Sequence, residues 1–207
     1  MKNAVLILII TLSITMAFAQ EITSTDSLSV KAEKQSIALR HSIGSSMCLI
    51  INFAEKDPAR FGQLNYGYKL TPKDNILIEA ATWNYYGPAG PYNPSDEKYP
   101  GRIRAYGVGA GYQRFLWKNS FTSVVATPFL QQYLDEDNKE IQQGLQLYLQ
   151  FTAGYRFEFF KKSCFLEPAA SLKYWPVNTN LPASFKEIND GEPNYEIRPR
   201  IYFGYQF

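Results

Sequence analysis

Few residues in this 207-residue chain are equipped for covalent chemistry. There is one histidine, His41, and there are two cysteines, Cys48 and Cys164. A histidine activates a serine only within hydrogen-bond reach. Ser42 is its direct neighbour, and adjacent strand residues point to opposite faces, so these two cannot pair. Two positions on stands Ile43. One histidine and two remote cysteines do not make a zinc site. Gly107-Val108-Gly109-Ala110-Gly111 spaces its glycines at period two inside a strand pattern, unlike a phosphate-cradling loop. No catalytic residue, metal or cofactor is therefore expected. A net charge of +2 gives no footing for a nucleic-acid partner.

Two other sets carry more information. Arg40, Glu79, Arg156, Glu158, Glu167, Lys173, Arg198 and Arg200 each sit on the polar side of an alternating segment. If those sides share one narrow interior, unpaired charge there is costly, and interlocked Arg–carboxylate pairs are expected. The glycines at 107, 109 and 111 would leave space for these long side chains. Tyr85, Tyr86, Tyr92 and Tyr99 fall in a stretch rich in proline and glycine. Rigid, amphipathic tyrosines suit an extracellular protein or glycan contact.

The elements that position these residues follow from a period of two. From 197 to 207 the odd positions read Ile197, Pro199, Ile201, Phe203, Tyr205 and Phe207, and the even ones Arg198, Arg200, Tyr202, Gly204 and Gln206. That is a strand with one greasy and one polar face. Seven more segments alternate likewise: one from about 37, then 63–70, 76–81, 103–117, 121–133, 141–159 and 164–175. A helix would group every third or fourth residue instead, and no segment after the leader reads as helical. The links at 71–75, 118–120 and 161–163 are short; the others are mostly longer. Short turns alternating with long loops, eight strands and both termini at the turn end predict an all-β, eight-stranded antiparallel up-and-down transmembrane β-barrel over 37–207. Eight strands enclose an interior that side chains fill. Cys48 then lies toward the loops and Cys164 at a turn, too far apart to bridge, so both thiols are expected free.

The chain opens with Lys2, an uncharged apolar run over 4–17 and Ala17-Phe18-Ala19, the pattern of a secretory signal peptide over 1–19. Residues 20–36 read as a polar periplasmic lead-in. Together with the terminal Tyr202-Phe203-Gly204-Tyr205-Gln206-Phe207, these features resemble small outer-membrane β-barrel proteins, the OmpA/OmpX-like class. The resemblance implies a bacterial outer-membrane location, contact with outer-membrane lipid and lipopolysaccharide, and insertion by the barrel-assembly machinery, with Phe203, Tyr205 and Phe207 as the assembly signal. The expected function is non-enzymatic, in envelope integrity or surface contact. The competing readings are a lipid A-modifying barrel enzyme, a narrow porin-like channel, and a soluble lipocalin-like carrier with the two faces reversed.

Overall fold

A computed structural model describes residues 39–53, 60–88 and 98–207. The leader (1–19), the lead-in (20–36), the start of the first strand at 37 and Tyr92 lie outside them. The strands are β1 (His41–Ser46), β2 (Gly62–Lys69), β3 (Asp74–Tyr85), β4 (Arg102–Phe115), β5 (Ser120–Leu134), β6 (Glu140–Tyr155), β7 (Phe157–Phe159), β8 (Cys164–Asn178) and β9 (Tyr195–Gln206). β6 and β7 form one arm interrupted only at Arg156. Both pair with β8 in a single register, Gly154 opposite Ala169 and Phe157 opposite Leu166. Counted as one, they complete an eight-stranded antiparallel ring that closes where β9 meets β1, with Ser42 opposite Gln206. His41 and Phe207 exchange two backbone hydrogen bonds of 2.8 Å, so the final residue ties the seam.

The links at 70–73, 116–119 and 160–163 gather at one end with the seam; the described parts of the longer links lie at the other. The turns obtain their reversals from left-handed residues: Lys118 and Asn119 in one (φ 45° and 64°), Phe160, Lys161 and Lys162 in another (φ 50°, 57° and 73°). Alternation places Ile76, Ile78, Tyr106, Val108, Phe151, Leu172, Ile201 and Phe203 on the outside, all well exposed. Gln113, Thr127, Gln131, Thr152, Ser171 and Gln206 are buried within. Buried aromatics such as Phe129 and Tyr133 share the interior with this polar set.

Four features depart from the sequence reading. A seven-residue helix, α1 (Ala183–Asn189), stands in the β8–β9 link, and a 3-10 helix (Met47–Phe53) continues from β1. Phe185 on α1 is fully buried, so contact with the barrel, not periodicity over two turns, holds that helix. β8 carries a bulge, with Trp175 and Pro176 spanning the place that Tyr148 alone occupies on β6. The inner glycines of β4 do not make room for charged chains. A Cβ on Gly107 would stand 2.6 Å from the Phe129 ring, and Gly109 and Gly111 back onto Thr127 and Val125. Their neighbour β5 fills the space.

Candidate functional site

The interior is stacked in layers. At the turn end, Arg156 donates from Nε to Glu167 Oε1 at 2.6 Å, from Nη2 to Gln113 at 3.3 Å and from Nη1 to Gln206 at 3.4 Å. Its guanidinium lies 4.7 Å and 4.3 Å from the ring centroids of Phe115 and Phe165. Gln113 in turn accepts from Asn75 and donates to Glu167. Arg156 and Glu167 are both buried, so this is a desolvated, charge-assisted pair in which each guanidinium nitrogen has a partner. Glu158 borders the layer, accepting from Gln206 at 3.3 Å and lying 3.8 Å from Lys162.

The middle layer is polar, with no Arg–carboxylate pair among the described residues. Glu79 accepts from Gln63 Nε2 at 2.6 Å and from Thr127 Oγ1 at 3.0 Å. Thr152 and Ser171 share a 2.9 Å bond, and Gln150 donates to the Tyr202 hydroxyl. A cavity of about 60 Å³ lies among these residues. That is room for a few waters, at about 10–15 Å³ of such volume each.

Above it the chemistry changes. Trp83, Phe129, Tyr148 and Trp175 pack ring against ring, with centroids 4.2–5.3 Å apart. Lys173 lies over two of them, 5.3 Å from Trp83 and 5.6 Å from Tyr148. Beside this band Glu196 Oε1 meets Arg198 at 3.0 Å and Arg200 at 3.6 Å. At the loop end Tyr99, Ile103, Tyr133 and Phe185 close the interior, Tyr99 stacking on Phe185 at 4.7 Å and donating to Asn189 at 2.9 Å. Burial, with Tyr133 and Glu192 nearby, pushes the Tyr99 phenol well above its ordinary range.

The eight charged residues expected in one network are thus distributed. Arg156, Glu167 and Glu158 meet at the turn end; Lys173, Arg198 and Arg200 gather in the loop half; Glu79 sits between. Arg40 is corrected: it precedes β1 and its side chain is exposed, outside the interior pairs. The decisive partner in the loop half is Glu196, which the sequence reading omitted by starting the last strand at Ile197. It continues the polar face of Arg198, Arg200 and Tyr202, and that spacing was the available signal.

The tyrosine set also divides. Tyr99 is corrected: only 5% exposed, it belongs to the closure of the interior. Tyr85 is half-buried and accepts from Gln131 at 3.2 Å; Tyr86 is half-buried and accepts from Arg102 at 3.3 Å. Tyr92 is not among the described residues. Phe203, Tyr205 and Phe207 line the outside of the seam, 41–51% exposed.

His41 belongs to that same outer surface. It bonds the Tyr66 hydroxyl at 2.7 Å and stacks on Phe207 at 5.6 Å. Both cysteines are free thiols, Cys48 beside Arg200 and Cys164 opposite Tyr205 near the turns. Comparison with known proteins finds no matching family model, no matching characterised protein and no matching solved structure.

Proposed function

We propose that the chain is an integral outer-membrane β-barrel protein of the small OmpA/OmpX-like kind, non-enzymatic, serving envelope integrity or surface contact. The observation that carries this reading is the apolar outer face of the barrel. The outside is a continuous apolar sheet, far beyond the few hundred Å² of exposed apolar patch that a soluble monomer tolerates. It is bordered by aromatics at both ends: Tyr155, Phe157, Phe159, Tyr205 and Phe207 toward the turns, and Tyr106, Tyr174 and Tyr195 toward the loops. Such girdles mark the two interfaces of a bilayer. On β9, Tyr195 and Tyr205 stand ten residues apart. At about 3.3 Å per residue and a tilt of about 45°, that climbs roughly 23 Å, close to the apolar height of such barrels.

The layered filling of the interior favours a plug over a narrow channel. Boiled and unboiled samples from isolated outer membranes, run side by side on a denaturing gel, test the reading. A faster-migrating unboiled band in the membrane fraction is expected. Recovery in the soluble periplasmic fraction with no shift would overturn it and favour a ligand-carrying soluble barrel.

A further inference from the structure

Among the described residues the ring is not equally closed along its height. β1 pairs with β9 only from Ser42 to Ser46, opposite Gln206 to Tyr202. From Tyr195 to Ile201, β9 pairs with β8 alone. On the other side β2 ends against Thr82, so Trp83, Asn84 and Tyr85 pair with β4 alone. In place of wall strands the chain lays the 3-10 helix there, clasped where Asn52 bonds both backbone groups of Phe61 at 2.5 and 2.7 Å. A cavity of about 270 Å³ opens between these two strand edges.

We propose that this cavity binds an oxyanion headgroup, a phosphomonoester or a carboxylate, carried by an amphiphile that enters through the side of the barrel. The cavity is lined by the aromatic faces of Phe61, Trp83 and Tyr148 and by the charged ends of Lys173, Glu196 and Arg200, with Arg198 at its rim. Arg200 is 8% exposed, and its buried Nε has no hydrogen-bond partner among the described residues. Its other nitrogens face Glu196 at 3.6 Å and the weak acceptor Cys48 Sγ at 3.4 Å. A guanidinium holds five donors in a planar fork and is satisfied by two-oxygen acceptors. Here its one carboxylate is shared with Arg198. Lys173 makes cation–π contacts and has no carboxylate within ion-pair distance among the described residues. A buried guanidinium and a half-buried ammonium, both short of oxygen acceptors on one cavity wall, are matched by an anion with several oxygens.

The size of the cavity says how much of the ligand it holds. Sites enclosing a whole small molecule run about 300–1,000 Å³, so this one suits a headgroup and part of a ring or chain. The remainder has to leave through the gap in the wall. Outside that gap the 3-10 helix presents Ile50 and Phe53, 59% and 86% exposed, and β9 presents Ile197. Apolar chains lying there would continue into the surrounding lipid. The lateral route rests on the membrane reading above; the oxyanion contact does not.

Cys48 lines the same cavity, while Cys164 lies at the other end of the barrel, and both residues are partly exposed. That makes one a reporter and the other its control. The purified full chain in a non-ionic detergent is alkylated with iodoacetamide, and each cysteine peptide is followed by mass spectrometry. Dihexanoyl phosphatidic acid is expected to slow Cys48 labelling at least fivefold and leave Cys164 unchanged; dihexanoyl phosphatidylcholine slows neither. Arg200→Gln and Lys173→Gln are each expected to remove the protection, judged as the ratio with and without ligand in the same variant. Either variant suffices if the other loses its heat-shifted gel band. Equal protection by inorganic phosphate would uphold the oxyanion contact and overturn the amphiphile as its source. No protection by phosphatidic acid or phosphate, or equal protection by phosphatidylcholine, overturns the site. Loss of the heat shift in the unmodified chain would instead count against the membrane reading.

Discussion

At the scale of single residues, the strongest commitment of the chain is Arg156 with Glu167. Two charges withdrawn from water are stable only with each other and with their remaining hydrogen bonds, and Gln113, Gln206 and the Phe115 and Phe165 rings supply those surroundings. Glu167→Gln therefore leaves a buried guanidinium uncompensated and should cost about 3–5 kcal/mol. Replacing both partners by methionine should cost far less than that single change, because no stranded charge remains. Urea unfolding of the three proteins checks this. A loss below about 1 kcal/mol for Glu167→Gln is the range of exposed pairs, and it would mean the layer is wetter than its geometry implies. Both residues were legible in the sequence as interior charges, because they lie on polar faces of strands that alternation identifies; their pairing was not. Which strands pair, and at what height, is not written in alternation. Glu79 was accordingly grouped with arginines it does not meet, and Glu196 was left out.

At the scale of elements, β4 and β5 carry the clearest reciprocal fit. β4 gives up side chains at Gly107, Gly109 and Gly111 where β5 directs Phe129, Thr127 and Val125 inward. Their ladder is interrupted between Gly107–Phe129 and Ala110–Ala126, at the level of Pro128, which has no N–H to give. Gly107→Ala places a methyl group against the Phe129 ring and should cost about 1–3 kcal/mol, as overpacking of a tight site does. Combining it with Phe129→Leu should recover part of that cost, a non-additivity that unfolding of the two single variants and the double variant would measure. Purely additive losses would separate the two residues. The strands themselves were readable because a period of two extends over many residues. α1 was not, because two helical turns give too short a pattern and its stability comes from Phe185 meeting Tyr99 and Tyr133. The fit of glycine to aromatic was also hidden, since it depends on the register between strands.

For the whole molecule, alternation states that there are two faces and leaves their direction open; a soluble carrier and a membrane barrel share the same period. Direction is decided by what a narrow ring can hold. Eight strands leave width for side chains or one small ligand, and here the interior takes glycine, serine, threonine and glutamine, with aromatics set against glycine or alanine. Bulky aliphatic residues such as Ile78 and Val108 are left outside, and on the proposed membrane reading lipid is the medium that accepts them. Ile78 tests that medium. It sits on the outer face at mid-height, paired across the ladder with Tyr66 and Ala110, and is 40% exposed. An arginine on a face that meets water changes stability by less than about 0.5 kcal/mol. At the midplane of a bilayer it costs about 2–4 kcal/mol. Ile78→Arg, unfolded reversibly from phospholipid vesicles, should show the larger loss. The same substitution in detergent micelles, whose thin apolar layer lets a long cation reach water, should show a smaller one. An arginine tolerated equally in vesicles and micelles would turn the apolar face away from lipid and reopen the reversed, ligand-carrying barrel.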